Sequence, residues 1–228
     1  MTWEEYCAAW ARLHGGFDPG AASPVVRGWV RVAFRAGSWL ASRQVSPSAV
    51  TTAGLVLCWL VPAAVSLGVA VGPGGDAAGA LGRVASVLGA VLVLLAALAD
   101  GLDGAVAVVS GRTSRVGYVY DSVADRLGEA AWLLAFWLVG APAWLVVAAG
   151  GASWLQEYAR ARAAAAGMSE IGVITVSERP TRVLVAIFGL LAAAIAPVAI
   201  TVAAVVWLAL AAVALVQLAA AIRRELTD

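Results

Sequence analysis

The sequence DGLDGAVAVVSGRTSRVGYVYDSVAD, residues 100–125, decides the fold because it sets four aspartates inside or at the ends of long apolar runs. A carboxylate in hydrocarbon costs about 2.5–3.5 kcal/mol on insertion scales, and ionisable residues in such runs are usually functional. Four of them in one short stretch therefore indicate a site of chemistry. They are Asp100, Asp103, Asp121 and Asp125.

The spacing of these aspartates predicts two helical faces that meet. Asp100 and Asp103 are three residues apart, and Asp121 and Asp125 are four apart, so each pair lies on one face of a helix. The polar turn Ser110–Arg115 can join two antiparallel helices and bring both pairs to one depth. Converging carboxylates repel each other unless cations neutralise them, and hard oxygen ligands favour Mg²⁺, Mn²⁺ or Ca²⁺. Four carboxylates shared between two metal ions are typical of phosphoryl chemistry.

The composition indicates an all-α integral membrane protein. Of the 228 residues, 62% are hydrophobic, well above the roughly 45–50% of a soluble domain. The net charge of +1 gives no electrostatic support for a nucleic-acid partner.

Eight helices are expected along the chain. Two amphipathic helices come first, over Trp3–Leu13 and Pro24–Ser42, and the arginines at every fourth position of the second are typical of a helix in the membrane interface. Six apolar segments follow, each long enough to span a bilayer at ~20 residues. They run over about 50–71, 78–109, 116–140, 142–162, 182–195 and 198–222.

These segments predict three parts and one orientation. The parts are an N-terminal interfacial segment (1–45), a six-helix membrane domain (46–222) and a short tail (223–228). The loops expected on one side contain no arginine, whereas the other side carries most of them, so the positive-inside rule places both termini in the cytoplasm. We therefore expect a multi-pass protein of the inner (plasma) membrane that takes its soluble substrate from the cytoplasm.

The aspartates belong to a longer pattern of fixed spacing. It consists of Asp100, Asp103, Gly104, Ala107, Gly117, Asp121 and Asp125. This pattern resembles the signature of the CDP-alcohol phosphatidyltransferase family at every position but one. An arginine usually follows the alanine in that family, and Val108 stands here instead.

Two further segments extend the resemblance. Ser46-Pro47-Ser48-Ala49-Val50-Thr51 is similar to the family's Thr-Pro-Asn-x-x-Thr entry to the nucleotide site, with Ser48 in the place of asparagine. The segments at 158–163 and 177–182 resemble parts of the actinobacterial phosphatidylinositol phosphate synthases. The similarity covers residues 24–182 and is strongest in the motif.

The resemblance implies an enzyme that moves a phosphatidyl group from a CDP-linked lipid, such as CDP-diacylglycerol, to an acceptor alcohol and releases CMP. It also implies that Asp100, Asp103 and Asp121 hold two divalent ions, Mg²⁺ or Mn²⁺. Asp125 then helps to hold one ion and takes the proton of the acceptor hydroxyl. The positions that match contacts to the CDP lipid are Ser48, Ala49, Val50, Thr51, Gly104, Ser114 and Gly117. A homodimer is implied by the family as well.

Four arginines, Arg160, Arg162, Arg179 and Arg182, are expected to flank the mouth of the site. Arginine binds phosphate oxygens in a bidentate manner, so the acceptor is expected to carry a phosphate, as inositol phosphate or glycerol phosphate does. The alternative is that these arginines provide cytoplasmic positive charge and contact anionic lipids. Arg126 is expected to pair with Glu129 or with headgroups and has no catalytic role.

Val108 leaves other interpretations open, because the matching arginine of the family contacts the nucleotide-lipid. Arg112 or Arg115 substitutes from the turn, or the donor differs from CDP-diacylglycerol, or the activity is weak. A second class of protein is a non-catalytic CDP-lipid-binding relative. A membrane cation transporter lined by aspartates is the third class. It fits less well, because the carboxylates cluster at one edge and do not cross the membrane.

Overall fold

The computed structural model describes residues 1–13, 18–70, 76–168 and 174–226. Within these ranges the regular secondary structure consists of eight α-helices and no strand. The helices are α1 (Trp3–Leu13), α2 (Pro24–Ser42), α3 (Pro47–Ala70), α4 (Asp76–Ser110), α5 (Arg115–Val139), α6 (Ala143–Ala165), α7 (Arg179–Ala193) and α8 (Ala199–Leu226). The all-α prediction is confirmed.

Helix ends differ from the sequence-based bounds by a few residues, for local reasons. Helix α7 begins at Arg179, earlier than the expected 182, because Pro180 occupies the first turn, where a missing N–H costs nothing. Helix α8 continues to Leu226, and its last turn holds Arg223 and Arg224, whose charge suits a helix C-terminus. The expected loop 72–77 lies largely outside the described residues.

Among the described residues, three helices are long and apolar enough to cross a membrane. They cover Pro47–Gly68 in α3, Gly79–Ser110 in α4 and Ala199–Leu226 in α8. Helix α5 carries five charged residues between Arg115 and Glu129, and α6 carries three between Glu157 and Arg162. Helix α7 has 15 residues, fewer than the ~20 that span a bilayer. The six-span count therefore stays a prediction.

The chain divides into two compact units. The first unit comprises Met1–Val56 and Leu95–Asp125. In it, α1 packs on α2 through aromatic rings: Tyr6 lies 4.9 Å from Phe34 between ring centroids, and Trp3 lies 5.8 Å from Phe34. The amphipathic pattern of both helices thus has a protein partner on part of its apolar face.

The first unit is also held together by close helix approaches. A Cβ at Gly37 of α2 would lie 3.0 Å from the Cβ of Ala105 in α4, and one at Gly54 of α3 would lie 3.3 Å from the Cβ of Ala99. Small residues at these points let the backbones of α2 and α3 approach α4 closely.

The second unit comprises Leu57–Leu94 and Arg126–Asp228. Within it, α8 packs against α6 and α7. The indole of Trp207 in α8, which is fully buried, donates a 2.9 Å hydrogen bond to the hydroxyl of Ser153 in α6. A Cβ at Gly189 of α7 would lie 2.7 Å from the Cβ of Ala203 in α8, so glycine is required at this contact.

Candidate active site

The end of α4 and the start of α5 carry the four aspartates. Helix α4 ends at Ser110, and Gly111 follows with φ +66°, the left-handed conformation that glycine adopts at helix C-termini. Ser114 then caps α5, since its hydroxyl accepts a 3.0 Å hydrogen bond from the Gly117 N–H. The predicted polar turn between two helices is therefore confirmed.

Three of the aspartates come together. Asp100, Asp103 and Asp121 each offer a carboxylate oxygen, and these three oxygens lie within 4.8 Å of one another. Asp103 is buried, with 7% of its surface exposed, and the other two are half-buried. Oxygen donors at this separation fit a divalent cation such as Mg²⁺ or Mn²⁺. Within the described residues, half-buried Asp125 lies one turn further along α5 and is not part of this trio.

Helix α3 touches the motif through two threonines of its first turns. The Thr51 hydroxyl donates a 2.6 Å hydrogen bond to Oδ2 of Asp103, and both side chains are buried. The hydroxyls of Thr52 and Tyr120 lie 2.8 Å apart and share a hydrogen bond. The sequence pattern assigned Thr51 to the CDP lipid and did not anticipate its bond to Asp103.

The other positions assigned to the CDP lipid lie in the same unit. Ser48 and Ala49 are exposed at the start of α3, whereas Val50 is buried. Gly104 is exposed, and a Cβ added to it would meet no heavy atom within 4 Å, so there is open space beside its backbone. A Cβ at Gly117 would lie 3.0 Å from the Ser114 hydroxyl, so the absence of a side chain there serves the cap.

Val108, the one departure from the signature, is a packing residue in this structure. It is 6% exposed and belongs to a buried cluster with Tyr6, Val30, Ala33 and Ala105. The N-terminal helices thus enclose the position at which the family usually has an arginine.

The arginines assigned to the acceptor lie in the second unit, where Arg160 and Arg182 bind carboxylates. Arg182 is 1% exposed and donates to both carboxylate oxygens of Glu129, at 2.9 and 3.0 Å. It also donates to Glu157 at 3.2 Å and to the Ser177 carbonyl at 2.6 Å. Arg126 pairs with Glu129 at 3.0 Å, as predicted, and with Glu157 at 3.0 Å.

Arg160 continues this ionic network, which comprises Arg126, Glu129, Glu157, Arg160, Glu178 and Arg182. It lies 3.6 Å from Glu157 and donates to both oxygens of Glu178, at 2.6 and 3.1 Å. Burial acts to raise the pKa of Glu178, but hydrogen bonds from Arg160 and from Thr175 outweigh it and hold that pKa below its ordinary value.

The remaining two arginines have different surroundings. The Arg179 guanidinium lies over the Trp132 ring, 5.8 Å from its centroid. Arg162 is exposed near the end of α6. The assignment of all four to an acceptor phosphate stays a prediction.

Sequence reasoning anticipated the Arg126–Glu129 pair but missed the bonds that Glu129 and Glu157 form with Arg182 and that Glu178 forms with Arg160. Glu129 lies in the apolar run of α5, so the cost of burying a carboxylate, which identified the aspartates, marks it as well. Glu157 and Glu178 carry no comparable signal, because each lies in a polar segment.

Most of the chain matches the model of a known protein family. A model of the CDP-alcohol phosphatidyltransferase family matches residues 44–219, which include α3, the motif and the ionic network. The chain belongs to this family. Membership assigns it to the class of transferases of phosphate-containing groups. It lends no support to the transporter or non-catalytic interpretations.

Two curated relatives align with part of the chain. An archaetidylinositol phosphate synthase of Pyrococcus horikoshii is 32% identical over 102 residues, which are 43% of this chain and 53% of the relative. A phosphatidylinositol phosphate synthase of Mycolicibacterium smegmatis is 41% identical over 110 residues, or 44% of this chain and 48% of the relative. The chain spans about half the length of the curated relatives it matches.

Two solved structures share the fold, and both are of a phosphatidylinositol phosphate synthase from Mycobacterium tuberculosis. The structure with CDP-DAG bound superposes with a TM-score of 0.69 at 21% identity, covering 85% of this chain and 94% of that one. The structure in complex with manganese and citrate gives a TM-score of 0.68 at 21% identity, covering 83% and 88%.

Proposed function

We propose that this protein transfers the phosphatidyl group of CDP-diacylglycerol to a phosphorylated polyol and releases CMP, as a step of phospholipid biosynthesis. The observation that carries the proposal is the meeting of Asp100, Asp103 and Asp121 within 4.8 Å inside the family's signature. Both curated relatives are named as inositol phosphate lipid synthases. Inositol phosphate is therefore the acceptor we favour, and glycerol phosphate is the second.

The proposed step exchanges one phosphorus–oxygen bond for another. The acceptor hydroxyl oxygen bonds to the phosphorus that bears the diacylglycerol. The bond from this phosphorus to the bridging oxygen breaks, and CMP leaves with the electron pair. The acceptor's proton passes to the carboxylate of Asp125. Because aspartate is a weak base, its usefulness depends on geometry and on a hydroxyl that is already acidified.

The aspartate trio would hold two divalent ions, Mg²⁺ or Mn²⁺, with Asp125 contributing to one of them. When bound, these ions supply charge stabilisation for the phosphates and for the leaving CMP. A relative crystallised with manganese supports this donor set as a metal site. Without cations, three carboxylates at this separation would repel one another.

The donor lipid is proposed to lie along the open backbone at Gly104, with Ser48, Ala49 and Val50 at the start of α3 and Ser114 and Gly117 at the start of α5. The exposed position of Gly104 supports this assignment, since its backbone can be approached closely. That a relative's structure contains CDP-DAG supports the class of donor.

The acceptor's phosphate is proposed to bind arginines of the second unit. Arg182 already uses all its guanidinium nitrogens on Glu129, Glu157 and Ser177. Arg160 is likewise engaged with Glu178. We propose that Arg160 and Arg182 also hold α5, α6 and α7 together through these glutamates, and that Arg162, which is exposed, and Arg179, at the start of α7, add their charge to the phosphate site.

The proposed setting is the inner (plasma) membrane. We propose six spans formed by α3 to α8 (46–222), interfacial helices α1 and α2 (1–45), and a tail (223–228) on the same side as the N-terminus. Both termini would be cytoplasmic, so that the soluble acceptor enters from the cytoplasm, and the protein would act as a homodimer. The absence of arginine from the loops expected on the other side supports this orientation.

The test is CMP release by the purified protein in detergent with Mn²⁺ or Mg²⁺ and CDP-diacylglycerol. Inositol phosphate, glycerol phosphate, inositol and serine are compared as acceptors, and the lipid product is weighed by mass spectrometry. We expect release with inositol phosphate and a lipid product whose mass equals that of CDP-diacylglycerol plus inositol phosphate minus CMP. Asp125→Asn should abolish release, because the proton acceptor is lost.

Asp18→Asn is the matched control, since Asp18 lies outside the motif and its Oδ1 accepts a hydrogen bond from the Gly20 N–H. It should leave the rate unchanged. Release that persists in Asp125→Asn at the full rate would refute the assigned base. Absence of release with every acceptor, in protein that still binds CDP-diacylglycerol, would refute the transferase itself.

A further inference from the structure

The start of helix α3 lies in the first unit, and a capping serine and a proline in its first turn fix its backbone. Ser46 caps the helix, since its hydroxyl accepts a 3.2 Å hydrogen bond from the Ala49 N–H, and Pro47 is the first helical residue. Gly54 packs near Ala99 of α4, as described above. This close approach brings the short side chain of Thr51 within reach of Asp103.

The Thr51 hydroxyl has only one proton to donate, and two acceptors compete for it. One is Oδ2 of Asp103 at 2.6 Å, and the other is the Pro47 carbonyl at 3.2 Å. A distance of 2.6 Å is typical of an O–H donor bonded to a charged carboxylate, which is about twice as strong as a neutral hydrogen bond. An ionised Asp103 has no proton of its own, so the shared proton must come from Thr51.

A contact from the same hydroxyl to a donor phosphate would break this bond. Thr51 and Asp103 are only 8% and 7% exposed, so a lost hydrogen bond there would leave a buried carboxylate oxygen without its donor. That loss is costly for a charged group. The exposed neighbour Thr52 differs, because its partners are the Ser48 carbonyl at 2.7 Å and the Tyr120 hydroxyl.

We propose that Thr51 is a positioning residue for the metal-binding carboxylate of Asp103 and does not donate a hydrogen bond to the phosphates of the CDP lipid. This inference rests on the proposed function, since it needs Asp103 to hold a metal ion. The hydrogen bond fixes one carboxylate oxygen and hence the orientation of the group. Ligating carboxylates are usually held by such outer hydrogen bonds, and losing one typically weakens metal affinity about 10–100-fold.

The test measures Mn²⁺ affinity directly, by electron paramagnetic resonance of free Mn²⁺, in detergent and without any lipid. Thr51→Val keeps the shape of the side chain but removes the hydroxyl, and Thr51→Ser keeps the hydroxyl. We expect Thr51→Val to weaken Mn²⁺ binding by about 10-fold or more, and Thr51→Ser to stay within about 3-fold of the original protein. Thr52→Val is the matched control and should also stay within about 3-fold.

The same variants are then compared in CMP release at saturating Mn²⁺. Thr51→Val should keep the KM for CDP-diacylglycerol, because the proposal gives Thr51 no hydrogen bond to donate to the lipid phosphates. A raised KM with unchanged Mn²⁺ affinity would overturn the proposal in favour of a lipid contact. Equal weakening by Thr51→Ser and Thr51→Val would also overturn it, since the hydroxyl would then be irrelevant.

Different results would refute the proposed function. If the original protein binds no Mn²⁺, or binds it equally well after Asp100→Asn, the aspartate trio is not a metal centre and both proposals fall. If Mn²⁺ binds and Thr51→Val weakens it while no acceptor yields CMP, the role of Thr51 stands and the transferase assignment falls.

Discussion

Removing the carboxylate of Glu129 should destabilise the protein more than breaking any other pair of the ionic network. Glu129 and Arg182 are each only 1% exposed, and their groups meet at 2.9 and 3.0 Å. Breaking a buried pair by removing one partner costs about 3–5 kcal/mol, because an uncompensated charge stays in the interior. Arg182 keeps Glu157 at 3.2 Å, so the lower end, about 3 kcal/mol, applies to Glu129→Gln.

The assay is thermal unfolding in a mild detergent, followed by the fluorescence of the ten tryptophans. For a chain of this size, a loss of about 3 kcal/mol lowers the midpoint by about 6–12 °C. The matched control is Glu178→Gln, which breaks a pair whose side chains are 25% and 28% exposed. Such a pair contributes at most about 1 kcal/mol, so the midpoint should fall by only about 2–4 °C.

A second variant separates lost charge balance from lost packing. Glu129→Leu combined with Arg182→Met removes both buried charges, and replacing a buried pair with apolar residues is often neutral or stabilising. The double variant should therefore unfold at a higher temperature than Glu129→Gln alone. A fall of less than about 2 °C for Glu129→Gln, or a double variant less stable than the single one, would refute this reasoning.

Three further outcomes are expected from the same assay. Tyr6→Phe should stabilise the protein by about 1 kcal/mol, because the buried Tyr6 hydroxyl has no hydrogen-bond partner in the described part of the chain; a lower midpoint contradicts this. Val108→Arg should lower the midpoint more than Val108→Ala does, because it buries a charge in an apolar cluster; an unchanged midpoint with faster CMP release means that position 108 faces the donor. The pKa of Glu178 lies below its ordinary value of 4.5, so its stabilising effect is present above that pH and is lost as the pH falls through the lowered pKa. The difference in midpoint between the original protein and Glu178→Gln should therefore shrink on acidification below pH 4.5, and a constant difference contradicts the assigned pairing.

The aspartate trio was predictable because its signals are local. The spacing of Asp100 and Asp103 sets one helical face, and the polar turn after Ser110 reverses the chain so that Asp121 returns toward them. The bounds of α1 and α2 were equally local, since hydrophobic periodicity and the Ser23–Pro24 start define them. Such features depend only on residues within a few helical turns.

The partners of the charged groups could not be predicted, because they are set by packing between distant segments. Thr51 and Asp103 are 52 residues apart, and Glu129 and Arg182 are 53 apart. Sequence reasoning assigned Arg182 to phosphate from its charge and position, but the choice between a phosphate and a glutamate depends on tertiary packing. An arginine that must enter an apolar interior needs a carboxylate partner, and Glu129 provides it.

Because Val108 is enclosed, position 108 offers no charged contact to the donor lipid. In the family's usual pattern, an arginine there provides a charged contact to the nucleotide-lipid, whereas here Val108 is packed against the N-terminal helices. The turn after α4 still carries two exposed arginines, Arg112 and Arg115. The Arg112 guanidinium lies 3.4 Å from the Gln44 side chain, at the connection that leads into α3. Arg115 directly follows Ser114, and Gln44 lies four residues before Ser48, so the turn carries positive charge close in sequence to both segments of the proposed donor site. If the proposed donor site is correct, the arginines of this turn would supply the positive charge that Val108, packed against the N-terminal helices, does not.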